Sequence, residues 1–446
     1  MREIAGDSEF MMTQKKVSFY TLGCKLNFAE TSTISRKFTE NGYTRVEFTE
    51  PSDVVVINTC SVTQLADKKC RQVINKAART SPDAIIAVVG CYSQLKPEEI
   101  SQINGVDLVL GTKDKFNIIQ YIDEITAKNQ TSAIIHSCEI EKVEDFNPSF
   151  SLFDRTRSFL KVQDGCDYHC SYCTIPLARG NSRNNSIEKT VAEAQKISEQ
   201  GIKEVVLTGV NIGDFGRSTG ESFFNLIQEL DKVNGIERFR ISSIEPNLLT
   251  DEIIQFVAGS RLFVPHFHIP LQSGCNTILK LMSRRYQRDQ FSNRVSYIKN
   301  SMPHACIGAD VIVGFPGETD ELFSDTYSFL EEIDISYLHV FSYSERRNTR
   351  AVALPEKVSP QDKELRSNRL IDLSEKKRLK FYENNIGLET DVLFESTVSK
   401  GKMFGFTPNY IKAEVKYDKI LVNKSIPVSL KQISGSGNME VTIRNL

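Results

Sequence analysis

Short apolar runs alternate with amphipathic segments along the first third of the chain. The amphipathic segments have a helical period, for example 27–42, which ends at Gly42 as many helices end at a glycine. Strands buried on both faces are predicted for the apolar runs at 16–23, 53–59, 84–90 and 106–111. This alternation predicts an N-terminal domain over residues 15–138, a small parallel sheet covered by helices.

The same alternation occurs six times in the central region, residues 150–382, after a polar and acidic linker at 139–149. Helical patterns such as 186–201 and 318–333 separate the strands. The strands are predicted at 158–164, 203–209, 238–243, 265–271, 307–314 and 336–343. Six units are too few to close an eight-stranded barrel. We therefore expect an open, partial (β/α)6 barrel whose active site lies at the carboxyl ends of the strands.

The last region, residues 383–446, has no helical period. Its β-type runs are interrupted by Gly, Pro and Asn, which predicts a small β-barrel. The predicted fold class is α/β, with two α/β domains followed by this small barrel.

Charge and hydropathy restrict the function further. A formal net charge of −2 gives no general attraction for nucleic acid, so contact with RNA must come from local basic patches. No apolar run approaches the length of a membrane span. The first residues, MREIAGDSEF, are polar and acidic, whereas a secretory signal is basic and then apolar. We expect a cytoplasmic protein without a membrane partner.

Ten cysteines in a large cytoplasmic protein indicate metal binding or catalysis rather than disulfides. Cys166, Cys170 and Cys173 lie in CDYHCSYC, directly after the first predicted barrel strand. Three thiolates at this spacing can bind three irons of a [4Fe–4S] cluster and leave the fourth iron open for a substrate. The alternatives are a zinc knuckle, for which His169 is badly placed as a fourth ligand, and buried free cysteines.

A second cysteine triad is spread over the N-terminal domain. Cys24, Cys60 and Cys91 each follow a predicted strand, at separations of 36 and 31 residues. Residues just past the ends of parallel strands meet at one edge of a sheet, so the three thiols are predicted to hold a second cluster. The alternative is three buried cysteines that act as small apolar residues. Packing is the role assigned to the remaining cysteines: Cys70, Cys138, Cys275 and Cys306.

The CxxxCxxC loop, with an aromatic residue (Tyr172) before its last cysteine, resembles the radical S-adenosylmethionine (SAM) superfamily. Within it, the methylthiotransferases have signature stretches similar to TLGCKLNFAET, INTCSVTQLADKK, VVGCYSQ, HIPLQSG and DVIVGFPGE. The stretch FGFTPNYIKAEV resembles the TRAM domain, a small RNA-binding β-barrel. Together these stretches cover nearly the whole chain.

The resemblance implies two [4Fe–4S] clusters and SAM as cofactors. The open iron at the first triad would bind the amino and carboxylate groups of the SAM methionine, and cleavage of SAM would give a 5′-deoxyadenosyl radical. A second SAM would donate its methyl group to sulfur at the second triad. The methylthio group would then be transferred to C2 of an adenosine. An electron donor such as flavodoxin or ferredoxin, and a sulfur source, would be needed.

The stretches LGCKLN and LTGVNIGDFG are most similar to the MtaB type of this family. That type implies 2-methylthiolation of N6-threonylcarbamoyladenosine in the tRNA anticodon stem-loop. The stretch FSYSERRNTRA (341–351) departs from it, because a proline-rich and less basic sequence is expected there.

Other substrates and another class of protein stay open. The same reaction could act on isopentenyladenosine in tRNA or on an aspartate of a ribosomal protein, although the latter relatives usually have LGCPKN where this chain has Lys25-Leu26-Asn27. A non-catalytic, metal-containing RNA-binding protein would need closed four-ligand sites, whereas the sequence has two sets of three.

Six residues of the barrel region are candidates for SAM binding: Tyr172, Gly209, Ser243, Glu245, Gln272 and Ser273. Tyr172 is expected to contact the adenine, and the backbone of Gly209 to meet the methionine amino group. Ser243 and Glu245 follow the third strand and are candidates for the ribose hydroxyls or the amino group. The last two follow the fourth strand.

Basic stretches are the candidates for RNA binding. The helix predicted at 363–380 has seven basic and three acidic residues, and the loop 400–412 combines lysines with aromatic rings suited to base stacking. Two groups of arginines precede them: Arg284, Arg285 and Arg288, then Arg346, Arg347 and Arg350. The alternative is a solvated helix face, which most charge runs are.

Overall fold

The computed structural model describes residues 14–61, 63–128, 132–152 and 156–444. Over these residues the chain forms a parallel six-stranded sheet, then two sheets of a partial barrel, then a closed five-stranded barrel. The predicted α/β fold class is confirmed. No helix among the described residues is long and apolar enough to cross a membrane.

The N-terminal sheet has the order β2-β1-β3-β4-β5-β6, and all its strands are parallel. Its strands are β1 (Lys16–Thr21), β2 (Thr44–Val46), β3 (Val54–Thr59), β4 (Ile85–Gly90), β5 (Leu108–Leu110) and β6 (Ile134–His136). The four predicted strands are present. The edge strands β2 and β6 were not predicted, because three residues carry too little alternation to be recognised.

Helices cover both faces of this sheet, as buried apolar side chains on each face require. They are α1 (Lys25–Glu40), α2 (Gln64–Thr80), α3 (Cys91–Leu95), α4 (Pro97–Ser101) and α5 (Ile118–Lys128). The helix α2 begins after Thr63, whose hydroxyl accepts a hydrogen bond from Ala66 N at 3.1 Å. The region predicted as a linker contains a 3₁₀ turn at Ile140–Lys142.

The barrel strands form two groups. β7 (Ser149–Phe150) is antiparallel to its neighbour, and the other strands run parallel: β8 (Arg157–Lys161), β9 (Glu204–Thr208), β10 (Arg238–Ile241), β11 (His266–Gln272), β12 (Cys306–Val313) and β13 (Tyr337–Ser342). Isolated parallel bridges, Phe239 to Phe263 and Ser243 to His268, connect the two groups. All six predicted strands are present, and they form an open barrel.

Helices follow the barrel strands and enclose one large apolar core. They are α6 (Ile175–Arg179), α7 (Ile187–Glu199), α8 (Phe223–Leu230), α9 (Asp251–Gly259), α10 (Asn276–Leu281), α11 (Arg288–Ser301), α12 (Asp320–Glu332) and α13 (Pro360–Glu383). The helix α13 begins after Ser359, whose hydroxyl accepts a hydrogen bond from Asp362 N at 3.1 Å. It connects the barrel to the C-terminal region.

The C-terminal region is a closed barrel with the order β14-β15-β16-β18-β17. Its strands are β14 (Glu389–Ser399), β15 (Lys402–Phe406), β16 (Lys412–Lys416), β17 (Ser425–Ile433) and β18 (Met439–Ile443). Arginines of β10 hold it against the larger barrel. Arg238 Nη1 donates to Phe406 O, and Arg240 Nη1 donates to Pro408 O, both at 2.9 Å. The ring of Tyr410 in the loop before β16 also contacts His266 and Tyr337, the first residues of β11 and β13, so this loop lies at the amino ends of the barrel strands.

Candidate active site

One cavity of about 410 Å³ lies between the carboxyl end of the N-terminal sheet and the carboxyl ends of the barrel strands. Its lining includes both predicted cysteine triads: Cys24, Cys60, Cys91, Cys166, Cys170 and Cys173. The two sets are therefore brought together from two separate sheets. Thiols from different domains that face one cavity can serve one reaction.

The loop of the first triad depends on a close backbone approach. Gly165 has φ +71°, and a Cβ at this position would lie 1.9 Å from Asn181 O, so no other residue fits. The next residue, Cys166, donates its N–H to Gly180 O at 2.9 Å. This contact turns the chain after β8 so that the three cysteines point into the cavity.

Each thiol of the first triad accepts one hydrogen bond: Cys166 Sγ from Tyr168 N at 3.4 Å, Cys173 Sγ from Ile175 N at 3.4 Å, and Cys170 Sγ from Arg284 Nη1 at 3.1 Å. Burial raises the pKa of Cys166 and of Cys173 to about 12. These thiols would therefore stay protonated without a metal, whereas a bound metal ion deprotonates its cysteine ligands. The donors then point at the sulfurs that carry negative charge.

The second triad lies at the ends of neighbouring strands. Cys24 precedes α1, Cys60 follows β3, and Cys91 is the first residue of α3. Gly23 has φ +106°, and a Cβ there would lie 2.8 Å from Cys60 Cβ, so the turn after β1 packs directly on the end of β3. Cys24 is exposed to the cavity, Cys60 is partly exposed, and Cys91 is buried.

A buried network of charges lies beside both triads. Glu30 accepts hydrogen bonds from Lys115 Nζ at 2.6 Å and from Lys161 Nζ at 3.0 Å. Arg179 Nη1 bridges Glu30 Oε1 at 3.1 Å and Asp164 Oδ1 at 2.9 Å. All five side chains are at most 1% exposed. The network joins the N-terminal sheet to the barrel and carries one positive charge more than it has negative charges.

Arg179 extends this positive charge to the second triad. It lines the cavity, and its Nη2 donates to Asn27 Oδ1 at 2.7 Å. Loss of solvation raises the pKa of Cys24, and the Arg179 guanidinium opposes this increase. Arg179 therefore offsets part of the cost of placing negative charge on the Cys24 sulfur.

Five of the six candidate SAM-binding residues line the cavity: Tyr172, Gly209, Ser243, Glu245 and Gln272. Ser273 is not among the lining residues. It is fully buried on the opposite side of the chain, where its hydroxyl lies 3.1 Å from Thr326 Oγ1 and accepts a hydrogen bond from Cys275 N at 3.2 Å. The structure does not bring Ser273 to the cavity, because Gln272, at φ +68°, turns the backbone and directs the next side chain towards α12.

The structure places Arg284 in the cavity wall and not on the RNA-binding surface predicted for it. Its side chain is 4% exposed and forms an ion pair with Glu245 inside the cavity wall. It also donates to Tyr172 OH at 3.4 Å. Burial raises the pKa of Glu245, and the Arg284 guanidinium opposes this increase. Arg284 therefore belongs to the first triad's surroundings and not to an RNA-facing surface.

Arg346 also differs from its predicted role in RNA binding. It is buried against the N-terminal domain, where Nη1 donates to Asp67 Oδ2 at 3.0 Å and Nη2 donates to Ser61 Oγ at 2.6 Å. The basic stretch 341–351 thus contributes to the domain junction next to Cys60. By contrast, Arg285 and Arg347 are exposed.

The basic helix α13 is mainly a structural connector. Arg366 Nη1 donates to Glu318 Oε2 at 2.8 Å, and Lys377 Nζ donates to Ile333 O at 2.7 Å. Arg369 lies over the rings of two α12 aromatic residues, and Arg378 donates to Gly437 O at 2.7 Å. Lys363 Nζ also donates to Tyr343 O, at 3.4 Å, so five of the seven basic residues bind this protein's own surface. The predicted RNA-binding role of the helix does not follow from its charge.

Comparisons with known proteins agree with this geometry. Residues 16–111 match the family described as "Uncharacterized protein family UPF0004", and residues 160–330 match the "Radical SAM superfamily". Threonylcarbamoyladenosine tRNA methylthiotransferase MtaB of Bacillus subtilis (strain 168) is 42% identical over 422 residues, which is 93% of this chain and 93% of that protein. This chain belongs to the methylthiotransferase family of radical SAM enzymes.

Other members of the methylthiotransferase family are also similar over nearly their whole length. MtaB of Aquifex aeolicus (strain VF5) is 40% identical and is covered to 95%, with 89% of this chain aligned. The tRNA-2-methylthio-N(6)-dimethylallyladenosine synthase of Pelotomaculum thermopropionicum is 31% identical, with 93% of this chain and 95% of that protein aligned. Identity is higher with the two MtaB proteins.

Solved structures show the same fold at low sequence identity. The radical SAM methyltransferase TsrM from Kitasatospora setae matches this methylthiotransferase with a TM-score of 0.56 at 13% identity, over 74% of this chain and 73% of that chain. The cobalamin-dependent radical SAM enzyme OxsB matches with a TM-score of 0.51 at 15% identity, over 82% and 56%.

Sequence reasoning missed several residues around the cavity of this methylthiotransferase: Arg179, Asp310, Ile312 and Tyr343. Arg179 lies at the end of the short helix α6, just after the first triad, and a basic residue so close to three cysteines could have been noticed. Asp310 and Ile312 lie inside the fifth barrel strand, where their sequence pattern only indicates a buried strand.

Proposed function

We propose that this enzyme adds a methylthio group to C2 of N6-threonylcarbamoyladenosine next to the anticodon of tRNA. The observation that carries the proposal is the single cavity into which both cysteine triads open. An unactivated aromatic C–H bond cannot be thiolated by acid–base groups alone, so a radical generator and a sulfur carrier must face one substrate. The higher identity to the MtaB relatives supports threonylcarbamoyladenosine as the substrate.

The donor sets fit two [4Fe–4S] clusters. Each triad supplies three thiols, which leaves one iron of a cubane open. Among the described residues, one group of three potential metal ligands has all its donor atoms within 4.8 Å of one another: His268, Asp310 and His339. The sulfur atoms of each cysteine triad are spread over longer distances than this. A cubane holds its thiolates further apart than a single zinc ion does, so the wider triads favour clusters over the zinc-containing, non-catalytic alternative.

In this proposal Cys166, Cys170 and Cys173 hold the first cluster, and the second triad holds the other. When bound, the first cluster supplies an electron that cleaves SAM to a 5′-deoxyadenosyl radical, and the second supplies the site at which sulfur is methylated and transferred. The protein's own contribution is position and charge. The Arg284 and backbone donors fix the sulfurs of the first triad, and the positive network around Arg179 stabilises negative charge at the second.

Residues at the strand ends would orient SAM. Glu245 and Ser243 offer oxygen atoms on the cavity wall, where they can accept hydrogen bonds from amino or ribose groups. Gly209 has no side chain, so the backbone of the β9 end can approach the ligand directly. Tyr172 packs edge-on against Phe315, with ring centroids 6.3 Å apart, and so presents a fixed ring at the site. Apolar neighbours keep water from the radical.

The C-terminal barrel, which we propose to be a TRAM-type RNA-binding domain, presents lysines and aromatic rings. In the stretch 400–412, which contains β15 and the turn before β16, Lys412 Nζ lies 4.6 Å from the Phe404 ring centroid. Phe406 and Tyr410 stack on each other, 4.9 Å apart, at the junction with the larger barrel. Arg285 and Arg347 add exposed positive charge.

The reaction also needs a cellular location, an electron donor and a source of sulfur. We propose that the enzyme acts in the cytoplasm, where tRNA is modified, with a small reductant such as flavodoxin or ferredoxin as electron donor and a separate sulfur source. Isopentenyladenosine is the second candidate substrate, since a relative named for the dimethylallyl product is 31% identical.

The substrate is tested by mass spectrometry of nucleosides from digested bulk tRNA. Deletion of the gene is expected to remove 2-methylthio-threonylcarbamoyladenosine, and expression in a host that lacks this nucleoside is expected to produce it. The isopentenyl analogue should stay constant. A change in the isopentenyl product instead would indicate that isopentenyladenosine is the substrate. If no methylthio nucleoside changes, the aspartate of a ribosomal protein becomes the favoured substrate.

Replacement of Arg284 by methionine is expected to lower the reduction potential of the first cluster by an amount on the order of tens of millivolts, because hydrogen bonds to the sulfurs help set that potential. The substitution removes the N–H donor at 3.1 Å from Cys170 Sγ. An anaerobic redox titration followed by electron paramagnetic resonance measures the effect.

Arg285→Met is the matched control, since Arg285 is exposed and stacks on Tyr168 at 3.9 Å without donating to a thiol. It removes the same charge one residue away. Equal shifts in the two variants would show that Arg284 does not act through its bond to sulfur.

A further inference from the structure

Two histidines and an aspartate form a compact group on three neighbouring strands of the barrel. His268 lies on β11, Asp310 on β12 and His339 on β13. Asp310 Oδ1 is 2.8 Å from His268 Nε2 and 3.3 Å from His339 Nδ1. A metal ion with bonds of about 2.0 to 2.2 Å to nitrogen and oxygen contacts donor atoms at such separations after only small side-chain shifts.

The register of the strands builds this His–Asp–His group. Asp310 and His339 are direct partners in the pairing of β12 with β13. His268 pairs with Gly308, which lies two residues before Asp310 and therefore on the same face of β12. The three side chains thus leave the sheet on one face at neighbouring positions, and the fold holds them together before any ligand is bound.

A tyrosine behind His268 fixes the orientation of the imidazole ring. His268 Nδ1 lies 3.4 Å from Tyr337 OH. Tyr337 reaches this position because Gly308 has no side chain, since a Cβ there would lie 2.2 Å from Cζ of the Tyr337 ring. Histidines that bind a metal almost always form a hydrogen bond through their second ring nitrogen, which fixes the ring. The Tyr337 hydroxyl is such a partner, and it leaves Nε2 directed towards Asp310.

The His–Asp–His group borders the cavity that both cysteine triads line. Asp310 is one of the lining residues, and its side chain is 21% exposed, whereas that of His268 is 11% exposed. Partial burial reduces competition from water for the ligand atoms, and the exposed part of Asp310 gives an ion a path of entry from the cavity. A plausible metal site needs matching ligands, suitable distances, a supporting partner and such a path.

We infer that His268, Asp310 and His339 bind a divalent transition metal ion at the wall of the cavity. Two imidazoles and one carboxylate are a ligand set that proteins use for ions such as Fe²⁺ and Zn²⁺. Three protein ligands leave coordination positions open for water or for an oxygen atom of a molecule in the cavity. The set contains no thiol, so this ion is separate from the two iron–sulfur clusters.

The test titrates Mn²⁺ into protein that carries both reconstituted clusters, under anaerobic conditions and without SAM or a reductant. The oxidised clusters give no electron paramagnetic resonance signal, so the decrease in the sharp signal of free Mn²⁺ measures binding. Mn²⁺ suits carboxylate ligands rather than thiolates, and excess Mg²⁺ occupies surface sites that consist of oxygen atoms alone. Wild-type protein is expected to bind a single Mn²⁺ per chain with Mg²⁺ present.

Variants of the group should weaken Mn²⁺ binding to different degrees. Asp310→Asn and His268→Gln each remove a ligand, so we expect a loss of at least about 100-fold. Tyr337→Phe keeps all three ligands and removes only the hydroxyl beside His268, for which a loss of about 10-fold is expected. His339→Gln removes a ligand whose side chain is 55% exposed, so it should fold as the wild type does. Equal iron content shows that each variant retains its clusters.

His304→Gln is the matched control, because His304 is exposed and lies outside the His–Asp–His group. This variant should bind Mn²⁺ as the wild type does. If the wild type binds no Mn²⁺ in the presence of Mg²⁺, the inference is wrong and the three side chains are joined by hydrogen bonds alone. Unchanged binding in His268→Gln and His339→Gln, or an equal loss in His304→Gln, would place the ion elsewhere and overturn the inference as well.

Discussion

Replacement of Cys91 by alanine is expected to abolish the methylthio product while the enzyme continues to cleave SAM. Cys91 lies in the second triad, on the N-terminal sheet, and the first triad lies on the barrel. The first triad keeps all its ligands and its hydrogen-bond donors in this variant. SAM cleavage needs only the first cluster, whereas sulfur transfer needs both.

Three measurements separate these steps. Iron per chain should fall from about eight to about four, by the four-iron composition of each cluster. Reductive cleavage is followed as 5′-deoxyadenosine, which should form at a rate similar to that of the wild type. The methylthio nucleoside in stem-loop RNA should disappear.

Cys138→Ala is the matched control, because Cys138 is partly exposed and is not among the residues that line the cavity. It should retain both iron and product. Full iron content and methylthio product in Cys91→Ala would contradict the assignment of the second triad. Loss of SAM cleavage together with the product would contradict the separation of the two roles.

Replacement of Glu30 by glutamine is expected to lower the free energy of unfolding by about 3 to 5 kcal/mol, the range for removing one partner of a buried ion pair. Glu30 is fully buried and compensates Lys115, Lys161 and Arg179. Glutamine keeps the shape but removes the negative charge, so three cations would share Asp164 alone. Urea denaturation followed by circular dichroism measures this loss of stability.

Glu99→Gln is the control for this substitution. Glu99 pairs with Arg71 and Lys96 at the surface, where it is 43% exposed, and exposed pairs contribute at most about 1 kcal/mol. A loss in Glu30→Gln no larger than in this control would show that the buried network does not hold the domains together.

The stabilisation that the Glu30 carboxylate provides depends on pH in a defined direction. The surrounding cations hold the pKa of Glu30 well below its ordinary value. A carboxyl group with a depressed pKa stabilises the folded state at pH values above its unfolded pKa and loses this effect as the pH falls through the folded value. The difference between wild type and Glu30→Gln should therefore be full at neutral pH and shrink progressively as the pH falls below the ordinary glutamate pKa of 4.5.

Much of the fold followed from local pattern. Strands β3 and β4 are continuous apolar runs, and such runs bounded by turn residues are recognised without tertiary information. The helix α13 was predicted from its spacing and is present. The convergence of Cys24, Cys60 and Cys91 also followed, because the order of parallel strands places their ends at one edge.

Charged side chains were the least predictable part. Arg284 and Arg346 carry the same sequence signal as exposed arginines, a basic residue in a polar stretch. Only the tertiary structure supplies the carboxylates that bury them, Glu245 and Asp67, and these lie far away in sequence. Glu30 likewise meets Lys115 only when the N-terminal domain has folded, and Lys161 only after the two domains pack together.

The sequence by itself determined the order of strands and helices, the two cysteine triads and the sheet edges on which they lie. These depend on periodicity and on spacing along the chain, which are local properties. The tertiary structure decided which side chains share the cavity and which cations are neutralised by buried carboxylates. Charge compensation depends on distances across domain boundaries, and no local pattern in the chain encodes those distances.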